Sequence, residues 1–319
     1  MSDILYRSIL KPRQVIEPHK YFCEGYEYLY EQDGCVSQYD EMARLTYYIK
    51  KIINPPYYGC EKADFESIFK KTLALDCEDT DKDSSFLKSL SIRRPIIIGG
   101  CGRSGTTLLL SILSSHSEVF GIEEELYCFY PVFRLKKIIN FIIDKKKLQN
   151  QTWCEKTPKN VVNFNKIYDQ LSGDVSLIHI VRDGRDVVTS RHPYHPEKYW
   201  VSKERWKSDV EAGLQCKNCI LVKYEDLIFN PEKVLRIICD YCKIEFQDQM
   251  LKFQSFTNVK QNVAWEDEKV TKIHSNRVKK WKNVEHEDII NEFSKDSECM
   301  FLLERLGYER SSFNHINKL

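Results

Sequence analysis

An apolar run that stops on two glycines, Ile96-Ile97-Ile98-Gly99-Gly100, is followed at once by Cys101-Gly102-Arg103-Ser104-Gly105 and then by Thr106-Thr107-Leu108-Leu109-Leu110. A short, fully apolar run bounded by glycines reads as a strand buried on both faces, and such strands belong to parallel sheets covered by helices. The stretch Thr106 to Ser115 has the long apolar face of a packed helix. A strand, a glycine loop and a helix in direct succession are the repeating unit of an α/β fold.

The rest of the chain continues the alternation. Val175 to Val181 and Cys219 to Tyr224 read as strands. Val132 to Lys147, Val161 to Leu171, the stretch opening at Asp186, Pro231 to Cys242 and Asp288 to Leu306 read as helices. Pro231 suits a first helical turn and Gly307 suits a C-terminal cap. The spacing predicts an α/β chain with a P-loop-like three-layer architecture: a central parallel sheet flanked by helices, plus a helical N-terminal extension. Residues 1–92 form that extension, with helices at Glu41 to Ile53 and Asp64 to Leu75 and an exposed acidic linker at Asp76 to Ser85. Residues 93–319 form the main domain.

Lysine plus arginine number 48 and aspartate plus glutamate 47, so no global field draws the chain to nucleic acid or to a membrane, and any anion site must be built locally. No apolar run is long enough to span a bilayer, and the N-terminal stretch reads as no signal peptide. A cytoplasmic location is the expectation. Twelve cysteines, scattered and partly within apolar segments, are expected as thiols. Cys216 and Cys219, followed by Cys239 and Cys242, have zinc-like spacing. The alternative packs Cys219 at a strand start and Cys239 with Cys242 on the core face of a helix, and is preferred.

The loop from Gly100 to Thr107 is the most informative chemistry. Backbone N–H groups at a helix start, with no Cβ in the way, hold anions. Against the nucleotide-triphosphate pattern G-x-x-x-x-G-K-[ST], Gly100, Gly105 and Thr107 fit, while Thr106 stands where the lysine should be. Arg103 supplies a cation inside the loop. Loss of the lysine argues against a kinase or NTPase, although that class, and a non-catalytic nucleotide-binding module, stay as alternatives.

Gly102-Arg103-Ser104-Gly105-Thr106-Thr107-Leu108-Leu109 resembles the 5′-phosphosulfate loop of the sulfotransferase superfamily, nearer to the tyrosylprotein and bacterial-type branches. Arg182-Asp183-Gly184-Arg185-Asp186-Val187-Val188-Thr189-Ser190 resembles its 3′-phosphate block. Trp153 to Pro158, Val222 to Leu227 and Lys279 to Lys282 match further segments, and the likeness runs from residue 94 to about 310. The resemblance implies a sulfotransferase with 3′-phosphoadenosine 5′-phosphosulfate as donor and no metal. It assigns donor binding to Gly102, Arg103, Ser104, Gly105, Thr106, Thr107, Arg182, Ser190, Tyr224 and Lys280. It assigns catalysis to Lys156 and to the acidic trio Glu123-Glu124-Glu125, with Glu124 ahead of Glu123 and its carboxyl expected to be buried.

Arg182 and Ser190 can share one phosphate only if Asp183 to Asp186 is a loop, because eight helical residues would rise ~12 Å. Arg185 and Asp186 read as helix-start charges. His116 is a rival base, and His179 reads as a core residue. The acceptor is expected to be a small molecule; Tyr127, Phe129, Tyr130, Tyr194, Tyr199 and Trp200 fit either the lining of an apolar acceptor cleft or the core, and a homodimer is compatible with these features.

Overall fold

The computed structural model describes residues 80–130, 135–144, 151–192, 196–259 and 277–308. Five strands are described: β1 Ile96–Gly99, β2 Val119–Gly121, β3 Thr152–Lys156, β4 Ser176–Val181 and β5 Cys219–Lys223. The helices are α1 Thr80–Ser89, α2 Thr106–Leu113, α3 Leu135–Asp144, α4 Phe164–Gln170, α5 Gly184–Val188, α6 Lys203–Leu214, α7 Tyr224–Phe229, α8 Pro231–Cys242, α9 Glu287–Lys295 and α10 Ser297–Arg305. The sheet runs β2-β3-β1-β4-β5 and every neighbouring pair is parallel.

The register explains the layers. Ile96 and Ile98 of β1 point into one apolar cluster with Leu109 of α2, Leu227 of α7 and Leu235 of α8. Ile97, one residue out of phase, points into another with Leu87 of α1, Ile138 of α3 and Ile167 of α4. Alternate side chains of a strand leave opposite faces, so this partition is that of a sheet covered on both sides. A third cluster gathers Val181, Val187, Trp206, Trp281, Phe293 and Leu302, and joins α5, α6, α9 and α10 beyond the end of β4.

Several expectations are corrected. The acidic stretch at 76–85 is no free linker over its described part. Its second half belongs to α1, where Ser84 and Leu87 are buried and the Trp153 indole donates to the Leu87 carbonyl at 3.4 Å. Asp79–Leu319 form one compact unit, which includes α1.

The helix expected at Val161 to Leu171 begins as a 3₁₀ turn at Pro158–Asn163 and becomes α-helical as α4. The long C-terminal helix is two helices broken at Asp296, whose side chain caps α10 by accepting from the N–H groups of Glu298 and Cys299. β5 lies at the sheet edge, and Leu221 on it is exposed. Strands β2 and β3 were not anticipated. The helices expected at 41–53 and 64–75 lie outside the described residues. Cys216 belongs to one apolar cluster while Cys239 and Cys242 belong to another, so the two pairs do not come together.

Candidate functional site

All five strands run parallel, so the loops after β1, β3, β4 and β5 gather at one end of the sheet, where ligands of open α/β sheets bind. The loop after β1 is held rigidly there. The Gly100 N–H donates to the Pro158 carbonyl at 2.9 Å. A Cβ on Gly100 would stand 2.2 Å from the Ile180 carbonyl oxygen, so only glycine lets β1 pass β4 this closely. Gly105 has φ +93° and faces the Tyr224 ring, and Arg103 holds φ 69°. A left-handed arginine is uncommon and marks a loop whose shape its surroundings dictate.

Gly105 ends the loop as the N-cap of α2, and no side chain caps that helix start. The first N–H groups of α2 therefore point out of the helix unanswered by a side chain, with the positive end of the helix dipole behind them. The Ser104 hydroxyl, buried beside them, has no hydrogen-bond partner among the described residues. An oxyanion would satisfy both.

The stretch after β4 meets this loop. Arg182 is buried, and its Nη1 donates to the Arg103 carbonyl at 3.0 Å while its Nη2 donates to the Arg277 carbonyl. Its guanidinium also lies 4.7 Å from the centre of the Tyr224 ring. The Nε of Arg182 is buried without a partner among the described residues.

The helix after it is not displaced beyond Asp186 as anticipated. α5 starts at Gly184 and stops at Val188, so the loop expected over Asp183 to Asp186 is instead the first part of a five-residue helix. The Ser190 hydroxyl donates to the Asp186 carbonyl at 2.8 Å, and the Trp200 N–H donates to the Ser190 carbonyl at 3.0 Å. Arg103 in turn lies over the Trp200 ring at 5.3 Å. Arg103, Arg182, Ser190 and Tyr224 are thus joined through one chain of contacts around the phosphate loop.

Asp186 does more than start a helix. It is buried and accepts the N–H groups of Lys279 at 2.7 Å and Trp281 at 3.0 Å, which lays the 277–282 segment across α5. Burial pushes its carboxyl above the usual carboxylate range, while Arg182 at 3.6 Å opposes the shift. Arg185 is a structural partner: it forks onto Asp183 and lies over Trp281. Lys280 itself is exposed.

The loop after β3 supplies the other half. Lys156 is almost wholly buried and pairs with Glu125, which also accepts from the Tyr127 hydroxyl at 2.7 Å. Of the acidic trio, the residue that meets the lysine is Glu125. Glu124 is exposed and Glu123 half-buried, so the expected burial of Glu124 is not found. The trio follows β2, and Tyr127, two residues beyond Glu125, has φ 50°. Glu155, one residue before the lysine, is buried entirely. Burial pushes its carboxyl up to about 7, against hydrogen bonds from Thr157 at 2.5 Å and Asn160 at 2.6 Å.

A second buried pair braces the loop from below. Lys159 and Asp209 meet at 2.9 Å, both nearly inaccessible, with Arg205 3.6 Å from the other carboxylate oxygen. Arg205 also packs against Gly102, within 3.3 Å of where a Cβ would stand. Sequence reading missed Lys159, Arg205 and Asp209, because nothing local relates positions 50 residues apart.

His116 is committed to structure. Its Nε2 lies 2.7 Å from the Glu245 carbonyl and its Nδ1 accepts from the Glu118 N–H, and burial lowers its pKa. It lines a cavity of ≈ 440 Å³ at the far end of α2 from the phosphate loop, which therefore belongs to no part of this site. His179 is a core residue in β4, and burial lowers its pKa to about 3. Phe129 and Tyr130 are buried, Phe129 within the apolar cluster of β1 and α3, whereas Tyr199 and Trp200 flank the site. Tyr194 lies outside the described residues.

The family model described as "Sulfotransferase family" matches residues 95–149 and 132–248. Protein-tyrosine sulfotransferase A of Caenorhabditis elegans is 23% identical over 326 residues, covering 83% of this chain and 81% of that protein. Protein-tyrosine sulfotransferase of Drosophila melanogaster is 22% identical, covering 71% of this chain and 54% of that protein. Among solved structures, the sulfotransferase domain of the Synechococcus PCC 7002 olefin synthase aligns with a TM-score of 0.48 at 16% identity, over 68% of this chain and 96% of that one.

Proposed function

Because the chain belongs to the sulfotransferase superfamily and is an enzyme of that class, we propose that it transfers a sulfuryl group from 3′-phosphoadenosine 5′-phosphosulfate to the hydroxyl of a protein tyrosine. The observation that carries the reading is the meeting of Arg182 with the phosphate loop at the Arg103 carbonyl. It joins two anion-holding stretches, far apart in the chain, at one end of one sheet. The protein acceptor replaces the small molecule expected from sequence, because the relatives are named for protein tyrosine.

The donor's demands fit the groups present. The N–H groups at the start of α2, Ser104, Thr106 and Thr107 suit the 5′-phosphosulfate end, and Arg182 with Ser190 suits the 3′-phosphate. Transfer breaks the bond from sulfur to the phosphate oxygen and forms one to the phenolic oxygen. The phenolic proton leaves to a base, and adenosine 3′,5′-bisphosphate is released. Lys156, held by Glu125, is the cation placed to meet charge developing on the leaving oxygen. Glu124, which is exposed, is the carboxylate assigned the proton of the incoming phenol, with Glu123 beside it in sequence. No step requires a metal. A cytoplasmic location is part of the same proposal.

The test is transfer of labelled sulfate from the donor to a tyrosine peptide, to its phenylalanine counterpart and to a simple phenol, each with and without chelator. Labelling confined to the tyrosine peptide, and unaffected by chelator, is expected. Labelling of the phenol alone would overturn the acceptor. Binding of adenosine 3′,5′-bisphosphate with no transfer to any acceptor would leave a nucleotide-binding module instead.

A further inference from the structure

Strands β4 and β5 pair in register as far as Val181 and Lys223, so the two chains leave the sheet side by side at the end where the phosphate loop lies. Just beyond, they are tied together again. Glu225, in the first turn of α7, accepts the Asp183 backbone N–H on Oε1 at 3.0 Å. Its other oxygen, Oε2, accepts the Tyr308 hydroxyl at 2.7 Å. The end of α10 delivers that hydroxyl. Gly307 takes φ +73° and turns the chain back, and the Tyr308 N–H donates to the Leu303 carbonyl at 2.8 Å. The Lys223 ammonium lies 4.2 Å from the centre of the Tyr308 ring.

The Asp183 N–H belongs to the same peptide unit as the Arg182 carbonyl. That carbonyl accepts from the Trp206 indole at 3.4 Å, and Trp206 is fully buried in the apolar cluster beyond β4. A peptide unit is planar, so a bond at each edge fixes its plane and the course of the backbone through Arg182. One edge is anchored in the core. The other is held by Glu225, which is half-buried. From this backbone the Arg182 guanidinium reaches the Arg103 carbonyl of the phosphate loop at 3.0 Å.

We propose that Glu225, itself oriented by Tyr308, is a positioning residue that sets selectivity for nucleotides carrying a 3′-phosphate. It acts through Arg182 rather than by touching the donor. This role rests on Arg182 as the 3′-phosphate partner in the function proposed above. A forked guanidinium donates well only over a narrow range of angles. Loosening the Arg182–Asp183 peptide therefore weakens the hold on the 3′-phosphate and leaves the 5′ end, held at the start of α2, as it was.

The test is calorimetric titration of the full chain with adenosine 3′,5′-bisphosphate and with adenosine 5′-monophosphate. The ratio of the two affinities reports the 3′-phosphate contact. In Glu225→Ala the bisphosphate should bind about 10-fold more weakly, with the monophosphate unchanged. Glu225→Gln keeps an oxygen for the Asp183 N–H and should recover most of the ratio. Tyr308→Phe removes a single oxygen, which keeps the test valid should the alanine variant unfold, and should lower the ratio about 2- to 5-fold. In an Arg182→Ala background Glu225→Ala should change the ratio no further, because the group it positions is gone. A wild-type ratio in the Glu225→Ala and Tyr308→Phe variants overturns the proposal and leaves the 3′-phosphate site standing. Equal losses for both nucleotides also overturn it, since they mark a general loss of structure. A wild-type chain that does not distinguish the two nucleotides would remove the 3′-phosphate site, and the role of Glu225 with it.

Discussion

Asp209→Leu probes the brace beneath the phosphate loop. Lys159 and Asp209 are 4% and 0% exposed and 2.9 Å apart. At an effective dielectric of about 20 their attraction is about 6 kcal/mol, and desolvating the two ions opposes it with a comparable cost. Removing one partner forfeits the attraction but leaves the other ion buried, so the single change should cost about 3–5 kcal/mol. At about 2–4 °C per kcal/mol for a unit of this size, the thermal midpoint should fall by about 6–20 °C. Lys159→Met should cost a similar amount.

Together the two changes replace the ion pair with apolar volume, and the double variant should lie within about 2 kcal/mol of wild type. Arg205 and the Cys101 thiol, which also contact Asp209, account for the residue of the loss. Thermal and urea unfolding by circular dichroism close the double-mutant cycle. Single variants within 1 kcal/mol of wild type, or a coupling energy below about 0.5 kcal/mol, would refute the reasoning.

Four other outcomes follow from the same geometry. Arg182→Ala removes a charged donor worth about 1.5–3 kcal/mol, so calorimetry should show adenosine 3′,5′-bisphosphate binding about 10- to 150-fold more weakly; unchanged affinity contradicts the site. Gly105→Ala places a Cβ 2.4 Å from Tyr224 at φ +93°, and should lower stability by at least about 1–2 kcal/mol and weaken bisphosphate binding. Glu125→Gln should lower kcat more than it raises KM, because it acts through Lys156; a pure KM effect would assign Glu125 to substrate binding. Glu155 gives up its proton near 4.5 when unfolded and near 7 when folded. Between those values the unfolded chain binds fewer protons, so stability falls as pH rises, by about 3 kcal/mol in all. Glu155→Gln should flatten that slope in urea midpoints between pH 5 and 8, and an unchanged slope would show the shift to be absent.

What the sequence by itself determined was whatever a few adjacent residues encode. The strand, glycine loop and helix from Ile96 to Leu113 were legible because apolar periodicity and turn chemistry are local. The same holds for α8, which opens on Pro231, and for α10, which closes near Gly307. The tertiary structure decided what depends on partners brought from elsewhere. Three-residue β2 has too few side chains to show a period, and β3 ends in Glu155-Lys156, so both exist only because β1 pairs with β3 and β3 with β2. Which of three consecutive glutamates pairs inward was set by the buried ammonium of Lys156, which meets Glu125. The Lys159–Asp209 pair forms because the turn after β3 and α6 share a wall of the site. Burial and charge pairing are properties of surfaces in contact, and no window along the chain contains both surfaces.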